Sequence, residues 1–229
     1  MKKSKQDITG RRSLIAGLGA VTAGIAISAT TASAQSGSAN FEPARHDVDS
    51  WMGEMPGSHR VFIDTSTAVG GTDALGYANN LLNAQKNTYA GQESDFAMVV
   101  CYRHISTPFA FNDAMWGKYG EIFHGRMQYA DPASGNAPTV NLVNQPDRTD
   151  LRNFGKTIDS LGARGVKYVI CSSATAGMAR RIVATLGGSV EEVLDELVAN
   201  AVDNSRFVSA GVMAATRAQE YGFSLLYAG

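Results

Sequence analysis

Short uninterrupted runs of apolar residues alternate with stretches of helical periodicity along most of the chain. The clearest runs are FAMVVCY at residues 96–102 and VKYVIC at residues 166–171. Continuous apolar runs of this length are typical of strands buried on both faces of a sheet. Strands that alternate with helices form a mostly parallel sheet covered by helices on both sides. The sequence therefore predicts a single three-layer α/β domain with a flavodoxin-like sheet.

The same patterns predict the position of each element. Predicted strands lie at residues 60–64, 96–102, 166–171, 207–210 and 223–227. Predicted helices lie at residues 45–55, 72–88, 112–119, 149–161, 176–186, 190–201 and 213–221. We expect a turn at Gly70-Gly71, a helix cap at Thr149 and a Ser-Ser-Ala-Thr turn at residues 172–175. Residues 121–147 are rich in Gly, Pro, Asn and Asp, and such long loops often form lids or interfaces.

The first 34 residues have the composition of an export signal. They contain five basic residues and one acidic residue, followed by a Gly- and Ala-rich apolar stretch and Ala32-Ser33-Ala34. The small-residue end predicts cleavage after Ala34, and the apolar stretch is short for a permanent membrane anchor. Arg11 and Arg12 resemble the pair of the twin-arginine signal, with the export machinery of that pathway as the expected partner. We therefore expect a periplasmic protein, with residues 35–55 as a flexible lead-in containing a short helix and residues 56–229 as the α/β domain.

The composition of the remaining residues excludes several classes of protein. The whole chain has a net charge of −1, and residues 1–34 have a charge of +4, so the rest has a charge of −5. A nucleic-acid-binding protein would normally show a basic surplus, and none is present there. The chain contains 44% hydrophobic and 18% charged residues, which is typical of a folded domain. Nucleotide-loop, serine-hydrolase and haem-attachment motifs are absent from the sequence, so we expect no cofactor.

Cys171 is the candidate catalytic residue. It ends the predicted strand at 166–171, just before the predicted turn that leads into a helix. A thiol near a helix N-terminus is exposed to unpaired N–H groups and a partial positive charge, which favour the reactive thiolate. The alternative is an inert structural thiol, because free cysteine is among the most buried residue types. Position alone leaves these two interpretations open.

The segment VKYVICSSATAGMARRI at 166–182 resembles the sequence around the sulfur-accepting cysteine of the DsrE/DsrF-like family of sulfur-relay proteins. The similarity to an exported branch of that family extends over nearly all of residues 50–227. Its further matching segments are PGSHRVFIDTS at 56–66, ANNLLNA at 78–84, RHISTPFAFNDAMW at 103–116 and FVSAGVMAATRAQEYGFSLL at 207–226. The resemblance implies a DsrE-like fold, a trimeric or hexameric homo-oligomer, and a persulfide on Cys171.

Two other residues follow the strand at 96–102 and enter the prediction of the site. His104 is the candidate auxiliary group, acting as a base or helping to ionise Cys171, with a hydrogen-bonded loop histidine as the alternative. Cys101 is predicted to be a core residue. In a flavodoxin-like order the first strand would separate Cys101 from Cys171 by about 10 Å, which is too far for a disulfide. The remaining histidines are isolated in the sequence, so we expect no metal site.

Three functions are consistent with these residues. The first is a periplasmic sulfur carrier that accepts sulfane sulfur on Cys171 and passes it to another thiol, with a sulfur donor or acceptor protein as partner. The second is a non-enzymatic oligomeric module that binds a small molecule or a partner and has two structural cysteines. The third is a thiol oxidoreductase that uses Cys101 and Cys171 together, which the expected distance between them disfavours.

Overall fold

The fold is built on one sheet of five parallel strands. A computed structural model describes residues 42–229, so the predicted signal peptide lies outside the described residues. The strands are β1 (His59–Thr65), β2 (Phe96–Tyr102), β3 (Lys167–Cys171), β4 (Ser205–Val208) and β5 (Ser224–Ala228). Their order in the sheet is β4-β3-β2-β1-β5, and every neighbouring pair is parallel. The predicted α/β fold class is confirmed.

Within residues 42–229, seven α-helices connect and cover these strands. They are α1 (Trp51–Glu54), α2 (Ala68–Thr88), α3 (Asp113–Met127), α4 (Ile158–Ala163), α5 (Ser172–Leu186), α6 (Val190–Ala199) and α7 (Gly211–Glu220). Short 3₁₀ helices lie at Asp47–Asp49, Glu93–Asp95, His104–Ala110 and Leu142–Asn144. Among these helices of the described chain, none is long and apolar enough to cross a membrane.

The direction of the chain through the sheet explains why three layers form. From β1 to β4 each new strand is added on the same side of the previous one, and only β5 returns to the opposite side of β1. Because parallel crossovers are right-handed, the helices of the first three crossovers lie on one face and α7 lies on the other. The apolar core is divided in the same way, with α2, α3 and α5 packed on one face of the sheet and α1 and α7 on the other.

The strand order corrects one expectation. A flavodoxin-like order would place β1 between β2 and β3, but here β2 pairs directly with β3. The sequence predicted the strands from their apolar runs, and these runs hold no information about which strands become neighbours. The order arises because β2, β3 and β4 are each added to the sheet beside the preceding strand, always on the same side. The expected separation of Cys101 and Cys171 by an intervening strand is therefore wrong.

Several helix boundaries also differ from the prediction. Gly70 and Gly71 lie inside α2, which begins at Ala68 and is capped by the Thr67 hydroxyl accepting the Gly70 N–H. Glycine is needed at residue 70 because a Cβ atom there would clash with the Ala228 carbonyl oxygen. Likewise α5 begins at Ser172, directly after β3, so the expected turn at 172–175 is the first turn of this helix.

The polar middle of the chain contains more helix than the sequence predicted. Its first residues continue α3 to Met127, and the helix expected at 149–161 begins only at Ile158, capped by Thr157 rather than Thr149. Asn141 donates from its side chain to the carbonyl oxygens of Phe109 and Phe111, both at 2.8 Å. These bonds and the burial of Leu142 and Val143 fix residues 141–143 to the core.

The segment before β1 also differs from the single helix expected at 45–55. It forms a 3₁₀ turn at Asp47–Asp49 followed by the single turn of α1. Trp51 and Met52 are buried, whereas Val48 is exposed. The inward-facing residues therefore belong to α1 alone.

Candidate functional site

Cys171 lies at the junction between β3 and α5. It is the last residue of the strand and the N-cap of the helix, and its sulfur accepts the Ala174 N–H at 3.4 Å. The residue is 7% exposed, so its environment is a nearly closed position at the carboxyl edge of the sheet. A helix N-terminus supplies unpaired N–H groups and a partial positive charge that favour an anion. The geometry thus gives Cys171 the local features expected of a nucleophilic cysteine.

Hydrogen bonds fix the backbone around Cys171. The Thr175 hydroxyl donates to the Cys171 carbonyl oxygen at 3.0 Å. The backbone N–H and the hydroxyl of Ser173 both donate to the Ser209 carbonyl oxygen, at 3.2 and 2.8 Å. Since Ser209 directly follows β4, these bonds join the first turn of α5 to the loop that leads into α7. The first turn of α5, which contains the thiol's hydrogen-bond donor, is therefore held by the ends of both β3 and β4.

Space for a small molecule lies close to this junction. A cavity of about 280 Å³ runs beside β4 and α7, and its lining includes Val208, Ala210 and Met213. Val208 is the register partner of Cys171, so the cavity wall is one strand away from the thiol. Its lining is mostly apolar, with His46, Asp49 and Arg217 as the charged or titratable members.

Cys101 is in a different environment, as the sequence predicted. It is fully buried in the core beneath α7, and a Cβ atom at Gly211 would lie 3.1 Å from its sulfur. Burial raises the pKa of the Cys101 thiol well above its usual value, and the nearby Asp64 carboxylate raises it further. Cys101 is therefore a protonated core residue in the folded protein.

The two cysteines are diagonal neighbours on one face of the sheet. Val169 is the register partner of Cys101, and Cys171 lies two residues further along the same strand. Side chains two residues apart in a strand point to the same face. One strand spacing and two residues of rise place the two Cα atoms roughly 8 Å apart, beyond the usual range for a disulfide. Both cysteines are free in the structure.

A buried ion pair beside Cys101 was not predicted from the sequence. Arg103 donates from Nε and Nη2 to the two carboxylate oxygens of Asp64, each at 2.7 Å. The Asp64 side chain is only 7% exposed and that of Arg103 is 20% exposed. Hydrogen bonding to Asp64 raises the pKa of Arg103 above its usual value. The sequence signal was present, because an acid and a base each lie at the carboxyl end of a predicted strand.

His104 is exposed and lies at the start of the 3₁₀ helix His104–Ala110, with a left-handed φ of 56°. Its Nε2 atom lies 3.4 Å from a guanidinium nitrogen of Arg126 in α3. Among the hydrogen bonds of residues 42–229, none joins His104 to Cys171. The structure therefore brings Cys101 close to Cys171 and surrounds His104 with different neighbours.

The asparagine and the aromatic residues that follow β2 in the chain have structural roles. Asn112 caps α3 by accepting the Met115 N–H at 3.3 Å. Phe109, Phe111 and Trp116 are fully buried in the core. Within residues 42–229, no group of three His, Cys, Asp or Glu side chains is arranged to hold a metal ion. Comparison of the chain with protein-family models, curated proteins and solved structures finds no match.

Proposed function

We propose that this protein is an exported, DsrE-like carrier of sulfane sulfur and that Cys171 is the residue that accepts it. The observation that supports the proposal most directly is the position of Cys171 at the N-cap of α5, with its sulfur accepting the Ala174 N–H. The resemblance of residues 166–182 to the sulfur-accepting segment of that family points to the same residue. The cavity beside β4 offers room for a small donor.

The proposed reaction is a transfer between sulfur atoms. The Cys171 thiolate attacks the outer sulfur of a donor persulfide, R–S–SH, so that a new S–S bond forms on Cys171. The S–S bond of the donor breaks at the same time, and the donor leaves as the thiolate R–S⁻. The product is Cys171–S–SH, and a second thiolate then removes the outer sulfur by the same exchange. No external oxidant is needed, because the sulfane sulfur is transferred in its existing oxidation state.

The proposal includes a location and an assembly. Arg11 and Arg12 would direct the folded chain to the twin-arginine export machinery, and cleavage after Ala34 would release it to the periplasm. The family resemblance adds a trimeric or hexameric homo-oligomer and a sulfur-donor or acceptor protein as partner. His104 stays a proposed auxiliary group, and its neighbour Arg126 would add positive charge on that side of the sheet edge.

A full transfer cycle tests the function. The purified protein is incubated with inorganic polysulfide, freed of excess reagent and analysed by intact mass. We expect a gain of about 32 Da, the mass of one sulfur atom, which a small thiol such as glutathione then removes. Cys171→Ala should gain no reversible sulfur, whereas Cys101→Ala should behave like the unchanged protein. Equal gain in Cys171→Ala would exclude Cys171 as the acceptor.

A further inference from the structure

The two edges of the sheet differ in their chemistry. On one edge, β4 contains the exposed Arg206, whose guanidinium lies 5.1 Å from the ring centre of Trp51 in α1. On the other edge, β5 has three consecutive apolar side chains in contact with solvent. Leu225 is 43% exposed, Leu226 is 37% exposed and Tyr227 is 53% exposed. The β4 edge thus has a charged side chain stacked on a neighbouring helix, and the β5 edge has none.

The exposed side chains of β5 lie on both faces of the sheet. Successive residues of a strand point to opposite faces, so Leu225 and Tyr227 lie on one face and Leu226 on the other. Proteins normally protect an edge strand with charged residues, proline or a bulge, because its unpaired N–H and C=O groups bind other strands. The sequence FSLLYAG at residues 223–229 contains no charged residue and no proline. The edge is therefore suited to pairing with another strand.

We propose that the β5 edge is a two-fold interface with a second copy of this chain, in which the two β5 strands pair antiparallel. An unpaired strand is best matched by another strand, and an uncharged one meets no charge repulsion from its own copy. Pairing centred on Leu226 would place Leu225 opposite Tyr227 of the partner subunit, an aliphatic–aromatic cross-strand pair. A two-fold contact of this kind is self-complementary and closes after two subunits.

An adjacent helix enlarges the apolar surface beside the edge. The first turn of α2 lies against the end of β5, because Gly70 lies against the Ala228 carbonyl group. The neighbouring Val69 is 50% exposed. Val69 thus adds exposed apolar surface next to the five residues of β5, toward the roughly 1,200 Å² that a stable interface buries. The proposed interface includes β5 together with the start of α2.

The proposed two-fold interface limits the oligomeric states that the protein can adopt. A dimer contains the two-fold contact, and so does a hexamer with two-fold axes, whereas a simple trimer does not. Light scattering during size exclusion of the purified protein should give an even number of subunits. Leu226→Lys places two ammonium groups at the centre of the pairing and should halve the measured mass. A monomer, a trimer, or an unchanged mass in Leu226→Lys would overturn the proposal.

Leu186→Lys is the matched control, because Leu186 is 61% exposed at the end of α5. It should leave the mass unchanged, and circular dichroism should show both variants to be folded. A positive test is Leu226→Cys, since directly opposite residues of antiparallel strands are about 4.5–5.5 Å apart at Cα, within disulfide range. Mild oxidation should join two Leu226→Cys subunits covalently and leave Leu186→Cys subunits separate. Failure of Leu226→Cys to cross-link while Leu186→Cys does so would also contradict the proposal.

Discussion

Cys171 lies one strand across from Cys101 and two residues beyond its register partner, so the two thiols are diagonal neighbours on the same face of the sheet. Their surroundings differ despite this closeness. Cys171 is 7% exposed and accepts a backbone N–H at the start of α5, whereas Cys101 is fully buried beneath α7. Two thiols on one face of the sheet therefore differ in their access to reagents from solvent.

Alkylation of the native protein should distinguish the two thiols. We expect iodoacetamide to modify Cys171 at least about tenfold faster than Cys101, because reaction of a buried thiol requires the structure to open. Peptide mass spectrometry at several times would give both rates in one sample. In denaturant the two rates should become similar. Faster native labelling of Cys101 would contradict the burial described above.

The stability of the fold should fall at alkaline pH because of Cys101. Its pKa is raised in the folded state, so above the usual cysteine pKa of about 8.5 the unfolded chain loses this proton while the folded chain keeps it. Below that pH the titration of Cys101 does not change the free energy of unfolding. Above it the free energy of unfolding decreases as the pH rises, by at most about 1.4 kcal/mol per pH unit for one group.

Urea unfolding between pH 8 and 9.5 would measure this slope. Cys101→Ala should reduce it, because the substitution removes the titrating group. Val99→Ala is the control, since Val99 is fully buried two residues earlier on the same face of β2 and cannot titrate. An equal slope in Cys101→Ala and the unchanged protein would show that other groups cause the alkaline loss.

The ion pair between Arg103 and Asp64 should contribute more to stability than a similar pair at the surface. Arg103→Ala leaves a nearly buried carboxylate without its partner and should destabilise the fold by about 3 kcal/mol. Arg152 and Asp73 form a bidentate pair of the same geometry, but the Arg152 side chain is 61% exposed. Arg152→Ala should therefore cost less than about 1 kcal/mol. Chemical denaturation of both variants would test the difference, and equal costs would argue against a role for burial.

Gly211 should be intolerant of a side chain because it lies against the core below α7. A Cβ atom there would lie 2.7 Å from the Cβ atom of Arg103 and 3.1 Å from the Cys101 sulfur. We expect Gly211→Ala to destabilise the fold by about 1–3 kcal/mol through overpacking. Gly125→Ala in α3 is the control, because nothing lies within 4 Å of its added Cβ atom, and it should stabilise by about 0.5–1 kcal/mol. Thermal unfolding of both variants would show the opposite signs.

The sequence predicted the elements of the fold better than their arrangement. The apolar runs predicted all five strands to within a few residues, and the three central strands β1, β2 and β3 are buried as such continuous runs require. They could not give the strand order, since β2 and β3 become neighbours through the path of the chain. Gly70 and Gly71 suggested a turn, but both lie in α2, where a Cβ atom at Gly70 would clash with the β5 backbone and one at Gly71 with the Phe109 side chain.

The candidate site, like the fold, could be predicted only in part. The position of Cys171 before a helix could be predicted, because a strand ending in Cys and followed by small residues is a local pattern. The Asp64–Arg103 pair was missed although each residue lies at the carboxyl end of a predicted strand, because the two are 39 positions apart in the chain and their contact depends on β1 and β2 being neighbours. The sequence predicted His104 to lie near Cys171, whereas in the structure its neighbour is Arg126.

The central claim is that Cys171, rather than Cys101, accepts sulfane sulfur. The most direct measurement is tandem mass spectrometry of peptides from the polysulfide-treated protein, with free thiols blocked before digestion. We predict a gain of about 32 Da on the peptide that contains Cys171, and none on the peptide that contains Cys101. Sulfur found on Cys101, or on neither cysteine while a control persulfide protein is modified under the same conditions, would contradict the account.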